Sequence, residues 1–184
     1  MDAVLAYQKA RARRMLAAGQ GHIDMVEYND DMGTQQNLFM SADMWREFIK
    51  PRMADFIRMC KTEFGVKIRY HSCGAIRPII HDLIEIGVDM LNPIQILAAG
   101  MNPVELQAQF GGRIVFNGGI DTQELLPRAT PAEVARETRR IIGILGKNGG
   151  LVLGPSHRFQ ADVPIENILA MYEESSRPAA RSSS

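Results

Sequence analysis

Short apolar segments alternate with longer amphipathic segments along nearly the whole chain, and this order constrains the fold more than any other feature of the sequence. Alternation at this spacing favours a parallel sheet whose strands are joined by right-handed helical crossovers. A helix over residues 3–18 precedes the first strand-helix unit. The five strands are predicted at residues 22–31, 66–74, 88–95, 113–121 and 151–157.

Capping residues and a proline mark the helices between these strands. Ser41 is a typical N-cap for a helix over residues 41–64, which Pro51 is expected to kink or split. Thr130 and Glu133 have the spacing of a capping box at the start of a later helix. Further helices are predicted at residues 76–86, 103–110, 131–146 and 164–175, and the polar tail, residues 177–184, is expected to fray.

Charge and cysteine content exclude several functional classes. The 21 basic and 21 acidic side chains balance, so the basic excess typical of nucleic-acid-binding proteins is missing. No apolar run approaches the roughly 18–20 residues of a membrane-spanning helix. Two cysteines, Cys60 and Cys73, do not make a disulfide framework, so a reducing cytoplasm is the expected location. We therefore expect one cytoplasmic domain over residues 1–184, without nucleic-acid or membrane partners.

Polar and reactive residues follow every predicted strand, at the end where the chain leaves the sheet. In (β/α)8 enzymes the C-terminal ends of the parallel strands carry the active site. Five consecutive strands that end in this way therefore predict an active site along one edge of the sheet. The residues are Asp30 and Asp31 after the first strand, His71 and Cys73 after the second, Asn92 and Gln95 after the third, Gly118 and Asp121 after the fourth, and His157 after the fifth.

His71 and Cys73 are two residues apart, so in an extended segment their side chains project to the same face. An imidazole and a thiolate in that arrangement favour zinc. In the alternative interpretation, Cys73 is a small buried side chain and His71 hydrogen-bonds to a neighbour. His157 is the best candidate for a third zinc ligand. The carboxylates that could supply an oxygen instead are those of Glu27, Asp30 and Asp31.

The other polar residues allow both functional and structural interpretations. Asp30 and Asp31 could act as a general acid or base, hold a polar substrate, or cap a helix. Gly118 permits a close approach of the backbone to a ligand, or serves a tight turn. Asn92 and Gln95, judged from the residues alone, are interpreted as side chains that brace loops.

Several of these motifs resemble, in the same order, those of the uroporphyrinogen decarboxylase superfamily. Residues 30–35 have the DD-x-G-x-Q pattern of that superfamily, and the HSCG segment at residues 71–74 resembles its methyltransferase-like branch. The similarity extends over residues 22–173 and includes IGVDMLNPIQ, FNGGIDTQELLP, TPAEV and GPSHRFQADVPIENILAMYE. The resemblance implies a TIM barrel. The five β-α units would then be a partial TIM (β/α)8 barrel, corresponding to strands 4–8 of the family fold.

This superfamily contains metal-free decarboxylases of haem biosynthesis and zinc methyltransferases that exchange methyl groups with a corrinoid protein. His71 and Cys73 resemble the zinc pair of the methyltransferase branch, in which the third ligand is often a cysteine after the last strand. The stretch at that position offers His157, which also matches a substrate-contacting histidine of the decarboxylases. The resemblance therefore implies His71, Cys73 and His157 as zinc ligands, with Asp31 and His157 as catalytic residues.

The function implied first is that of a zinc-dependent methyltransferase, or a fragment of one, that transfers a methyl group to or from a corrinoid protein and uses a small-molecule methyl donor or acceptor. The alternatives are a metal-free carboxy-lyase and a non-catalytic partial barrel that acts as an assembly subunit. Five strands leave two open sheet edges, so we expect a homo-oligomer or another association through these edges. The residues assigned to substrate binding are Asp30, Gln35, Asn92, Gln95, Gly118 and Asp121.

Overall fold

The structure, a computed structural model, describes residues 1–176 and confirms the predicted alternation of strands and helices. Five parallel strands form one sheet, and they pair in the order in which they occur in the sequence. This sequential arrangement of β-α units is that of a partial TIM (β/α)8 barrel. The tail that was expected to fray, residues 177–184, lies outside the described residues.

The strands are shorter than predicted: four of them begin later than predicted, and all five end before the last residues of the predicted ranges, which lie in loops. A π-helix (Trp45–Ile49) joins the second and third α-helices, and a 3-10 turn (Lys147–Gly149) precedes the last strand. The strands are β1 (Met25–Asn29), β2 (Lys67–His71), β3 (Met90–Ile94), β4 (Val115–Ile120) and β5 (Leu151–Pro155). The helices are α1 (Asp2–Ala18), α2 (Ala42–Met44), α3 (Lys50–Phe64), α4 (Arg77–Glu85), α5 (Pro103–Phe110), α6 (Leu125–Arg128), α7 (Pro131–Leu145) and α8 (Ile165–Ser175).

The long helix predicted after β1 is split, as its proline suggested. Pro51 has no N–H to donate to the carbonyl four residues earlier. The helix widens before it, and the N–H of Lys50 donates to the carbonyl of Trp45, five residues back. Ser41 caps the first part, because its Oγ accepts from the N–H of Met44 at 3.1 Å.

The predicted capping box is present at the start of α7. The hydroxyl of Thr130 accepts from the N–H of Glu133, and the carboxylate of Glu133 accepts from the N–H of Thr130 at 2.8 Å.

A second contact joins the last two long helices. The guanidinium of Arg139 in α7 donates two hydrogen bonds to the buried carboxylate of Glu174 in α8, at 2.7 and 2.9 Å. The two hydrogen bonds from Arg139 link α7 to α8, and α7 packs against β4 and β5.

Alternate residues of the strands point to opposite faces of the sheet, and the helices within residues 1–176 lie against one of these faces. Ile68 and Tyr70 of β2 are fully buried on the covered face. On the same face, Tyr28 of β1 makes an edge-to-face contact with Phe56 of α3, with ring centroids 5.4 Å apart. The opposite face carries Arg69 and its neighbours and would line the interior of a closed barrel. We call it the inner face.

The sheet has two edge strands, β1 and β5, and within residues 1–176 neither pairs with a second neighbour. Alternate residues of β1, namely Met25, Glu27 and Asn29, are exposed. Two open edges are therefore present, as the strand count predicted. Over the same described residues, none of the helices combines the length and apolar character needed to cross a membrane.

Candidate metal centre

Two neighbouring strands bring a histidine, a cysteine and a carboxylate together at the C-terminal edge of the sheet. His71 is the last residue of β2, and Cys73 follows it by two positions. Asn29, the last residue of β1, pairs in register with His71, so the loop after β1 runs directly beside the loop after β2. This register places Asp31, two residues beyond Asn29, against the His71–Cys73 segment.

The separations between the three donor groups suit one metal ion. The Sγ of Cys73 lies 3.8 Å from the Nε2 of His71. The same Nε2 lies 3.7 Å from the Oδ1 of Asp31, and all three ligand atoms lie within 4.8 Å of one another. A tetrahedral zinc ion, with bonds of about 2.3 Å to sulfur and about 2.05 Å to nitrogen, separates two such donors by about 3.5 Å. The residues present therefore fit zinc.

Hydrogen bonds between the two loops fix the positions of the donors. The Oδ1 of Asp31 accepts from the N–H of Cys73 at 2.8 Å. The hydroxyl of Ser72, which is fully buried, accepts from the N–H of Met32 at 2.9 Å. The carbonyl of His71 in turn accepts from the N–H of Asp30 at 3.2 Å. The carboxylate and the thiol thus belong to one hydrogen-bonded unit rather than to two independent loops.

Two glycines allow the loops to approach this closely. A Cβ added at Gly74, which has a φ of +81°, would lie 2.2 Å from the carbonyl oxygen of Thr34. A Cβ added at Gly33 would lie 2.7 Å from the carbonyl oxygen of Cys73. Both contacts are with backbone atoms, which cannot turn aside as a flexible side chain can. Backbone packing of the two loops therefore requires glycine at both positions.

Burial controls the protonation of the groups near this centre. Burial, and then the charge of Asp31, raises the pKa of the Cys73 thiol to about 11. The same two causes raise the pKa of the Asp30 carboxyl. The two neighbouring aspartates have different surroundings: Asp31 belongs to the donor group, whereas Asp30 lines a cavity beside Tyr28 and Phe56, between the sheet and the helices. The assignment of Asp30 to substrate binding stays a prediction.

His157 lies apart from the donor group. It is exposed in the loop after β5, and β3 and β4 separate β5 from β2 in the sheet. The third donor that the structure brings to His71 and Cys73 is Asp31, one of the oxygen donors that the sequence left open. The catalytic and ligand roles assigned to His157 stay predictions.

Gln95 connects the loops that surround the centre. Its buried side chain accepts from the N–H of Gly74 and from the amide of Gln35, each at 2.8 Å. Its own amide donates to the carbonyl of Ser156 at 3.3 Å. These contacts join the end of β3 to the loops after β1, β2 and β5. Gln95 thus braces loops, as the sequence-based interpretation had it, and a substrate role for Gln35 or Gln95 stays a prediction.

Two residues assigned to substrate binding have clear structural contacts. The two carboxylate oxygens of Asp121 accept from three successive backbone N–H groups, from Gln123 to Leu125, at 2.7 to 3.1 Å. Gly118 has a φ of +110°, and a Cβ there would lie 3.1 Å from the backbone nitrogen of Ile94. Asp121 therefore organises the turn into α6, and Gly118 lets β4 approach β3. Substrate contacts for both residues stay predictions.

Asn92 contacts the metal centre directly, through His71. Its Oδ1 lies 2.8 Å from the Nδ1 of His71, on the side of the ring away from Cys73. Its amide nitrogen donates to Asn117 at 2.7 Å. Sequence reasoning did not single out Asn117 or Ser72, because neither has a chemical motif of its own. The one signal for Asn117 is its position, an amide inside a strand that is otherwise apolar or glycine.

Comparison with known proteins shows the family of the chain. The family model for uroporphyrinogen decarboxylase (URO-D) matches residues 9–177, which is most of the chain. The chain belongs to the uroporphyrinogen decarboxylase family. A uroporphyrinogen decarboxylase from Actinobacillus succinogenes is 33% identical over 67 residues, which are 36% of this chain and 18% of that protein.

Among solved structures, this member of the uroporphyrinogen decarboxylase family is similar to a methyltransferase from Methanosarcina mazei. The TM-score is 0.63 at 21% sequence identity, and the match covers 82% of this chain and 41% of the methyltransferase. At this identity the similarity shows a shared fold. The chain spans less than half the length of both relatives, consistent with five strands of a larger barrel.

Proposed function

We propose that this chain provides the zinc site of a methyltransferase of the uroporphyrinogen decarboxylase family. The observation that carries the proposal is the group of one imidazole, one thiol and one carboxylate within 4.8 Å, at the edge where barrel enzymes bind their substrates. The fold shared with a methyltransferase supports the same function. A metal-free decarboxylase has no need of a nitrogen, a sulfur and an oxygen donor converging on one point.

Each donor has a distinct task in this proposal. His71 and Cys73 would hold zinc through Nε2 and Sγ, and Asp31 would complete the protein ligands through a carboxylate oxygen. When bound, zinc supplies a Lewis acid that lowers the pKa of a thiol or oxygen nucleophile. Three protein ligands would leave room at the metal for that nucleophile. The side chain of Asp31 is 52% exposed, so a substrate can reach the centre from solvent.

The partners proposed with this chemistry are a small-molecule methyl donor or acceptor and a corrinoid protein. The C-terminal edge of the sheet is where both would meet the nucleophile. The residues of this chain would hold the zinc that lowers the pKa of the acceptor atom, while the corrinoid would carry the methyl group. A reducing cytoplasm, in which Cys73 stays a free thiol, suits this chemistry.

Metal content of the purified chain tests the proposal. We expect about one zinc per chain by elemental mass spectrometry, because three convergent donors suffice for a catalytic-type zinc site. His71→Ala should lose this zinc, since it removes the nitrogen donor. His81→Ala is the matched control, because His81 is exposed on α4 and contributes nothing to the donor group. A folded wild-type chain without zinc, or a His71→Ala chain that keeps it, would contradict the proposal.

The second candidate function is a metal-free carboxy-lyase, which the similarity to the Actinobacillus succinogenes decarboxylase favours. It predicts no bound zinc and a loss of activity when Asp31 or His157 is replaced. The two functions therefore differ in the metal content of the same preparation. In the decarboxylase interpretation, the thiol of Cys73 has no role in the reaction, so Cys73→Ala would leave activity unchanged.

The open edges predict association of the chain. Unpaired N–H and carbonyl groups along β1 and β5 favour pairing with another strand. We expect sedimentation velocity to show a dimer or larger species whose share grows with concentration in the micromolar range. Met25→Pro should reduce that share, because proline at the start of an edge strand blocks further pairing. A sharply unfolding monomer throughout this range would contradict the expectation and the alternative role as an assembly subunit.

A further inference from the structure

A row of polar groups crosses the inner face of the sheet from β2 to β5. His71 pairs in register with Asn92 of β3, and Asn117 of β4 pairs in register with Val152 of β5. The side chains of the two asparagines meet between these pairs. One continuous chain of hydrogen bonds therefore connects the backbone of β5 to the imidazole at the metal centre.

The carbonyl of Val152, at the β5 end of this row, determines which group donates in every hydrogen bond of the row. The carbonyl of Val152 can only accept, so the group of Asn117 that lies 2.9 Å away must be its Nδ2 donor. The Oδ1 of Asn117 then faces Asn92 and accepts from its Nδ2 at 2.7 Å. Reversing both amides would place the oxygen of Asn117 against the carbonyl oxygen of Val152, which is repulsive.

The hydrogen bond between Asn92 and the imidazole of His71 also has one possible direction. Because the Nδ2 of Asn92 is committed to Asn117, its Oδ1 faces the Nδ1 of His71 at 2.8 Å. An amide oxygen can only accept, so Nδ1 carries the proton of the neutral ring. The Nε2 of His71 is then left with a lone pair, and this is the atom that faces Cys73 and Asp31.

We propose that Asn92 and Asn117 are positioning residues that hold His71 in the tautomer with a free Nε2, ready to bind the metal. The metal part of this inference rests on the proposed function, whereas the tautomer is a property of the metal-free chain. A hydrogen bond to the second ring nitrogen fixes the orientation and basicity of a histidine ligand, and its loss costs about 10–100-fold in metal affinity.

The tautomer is measured directly on the metal-free protein. Two-bond proton–nitrogen correlation spectra of the ¹⁵N-histidine-labelled chain, in EDTA at mildly alkaline pH, show which ring nitrogen carries the proton. The His71 signals are assigned by their absence from a His71→Gln chain. We expect the proton on Nδ1 in the wild type. A proton on Nε2 in the wild type overturns the proposal, whatever the zinc content.

We call the row of hydrogen bonds from Val152 through Asn117 and Asn92 to His71 the relay. Two variants of Asn117 distinguish an effect of the relay on the tautomer from a general structural role of Asn117. Asn117→Asp and Asn117→Leu both lose the donor to the carbonyl of Val152, and in Asn117→Asp a carboxylate oxygen faces that carbonyl. Only aspartate still accepts from the amide of Asn92. We expect Asn117→Asp to keep the Nδ1-protonated tautomer, and Asn117→Leu to show a mixture or the other tautomer. If Asn117→Leu does not fold, the variants Asn92→Asp and Asn92→Leu are compared in the same way. Asn92 is the residue of the row that contacts His71 directly.

Zinc affinity, measured by competition with a chelating dye, is the second readout. We expect Asn117→Leu to bind zinc about 10–100-fold more weakly than Asn117→Asp. Equal affinities or equal tautomers in the two variants overturn the relay. A wild-type chain that binds no zinc but carries the proton on Nδ1 refutes the proposed function and supports the relay, so the two failures are distinguishable.

Discussion

Cys73→Ala is expected to abolish stoichiometric zinc binding, whereas Cys60→Ala should keep about one zinc per chain. Cys73 provides the sulfur donor of the group at the C-terminal edge. Cys60 is completely buried on α3, among the apolar side chains of the core. Loss of a ligand costs more than loss of the residue behind it, so the zinc affinity of Cys73→Ala should fall by more than about 100-fold. Elemental mass spectrometry and dye competition measure both effects.

The expected pH dependence of zinc binding follows from the same thiol. Burial, and then the charge of Asp31, raises the pKa of Cys73 to about 11, so the thiol of the metal-free chain is protonated at neutral pH. The zinc ligand is the thiolate, so binding releases this proton. Apparent zinc affinity should therefore rise by about tenfold per pH unit between about pH 7 and 8, where the thiol loses one proton on binding.

Cys60→Ala is the matched control for the loss of zinc from Cys73→Ala. Cys60→Ala and Cys73→Ala remove the same atom from the two cysteines of the chain, so any general effect of losing a thiol is shared. Both chains must first show the wild-type circular dichroism spectrum. A folded Cys73→Ala chain that keeps zinc, with the same steep pH dependence, would show that the metal is bound elsewhere. Loss of zinc from Cys60→Ala alone would lead to the same conclusion.

The fold could be predicted from the sequence because its signals are local. The alternation of apolar and amphipathic segments is set by residues close together in the chain, and β4 and β5 lie within the predicted strand ranges. Pro51 predicted a break in the long helix for a local reason, the missing N–H. The form of that break, a π-helix over Trp45–Ile49, was not predictable, because it depends on how the helix repacks against the core.

The candidate site was predictable only in part, because its geometry depends on strand register. The spacing of His71 and Cys73 is local, and the two side chains do lie together. The choice of Asp31 over His157 as their neighbour follows from the pairing of Asn29 with His71, which no spacing reveals. The contact between Asn92 and Asn117 depends in the same way on the pairing of two strands far apart in sequence.

Gly74→Ala is expected to lower the free energy of unfolding by about 2–5 kcal/mol. A left-handed backbone costs a residue with a Cβ about 1–2 kcal/mol. A Cβ at position 74 would also lie 2.2 Å from the carbonyl oxygen of Thr34, so the loops must move apart. Overpacking of this kind adds about 1–3 kcal/mol. Urea denaturation followed by circular dichroism measures the change.

Gly112→Ala is the matched control, because Gly112 has a φ of +75° and a Cβ there would meet no atom within 4 Å. It should therefore lose only the backbone contribution of about 1–2 kcal/mol. The difference between the two variants isolates the steric contact between the loops. Equal losses of stability would show that the loops adjust freely, and would remove the structural reason for glycine at position 74.

Gly74→Ala and Gly112→Ala should also differ in zinc binding, and this difference should be larger than the difference in their free energies of unfolding. Gly74 lies next to Cys73, and its close contact is with the loop that carries Asp31, so moving the loops apart separates two of the three donors. A displacement of about 1 Å is large compared with the tolerance of about 0.2 Å in metal–ligand distances. Gly112, at the other end of β4, leaves the donors in place. Zinc lost from Gly74→Ala and kept by Gly112→Ala, both measured well below the unfolding transition, would show that backbone packing of the two loops builds the metal centre.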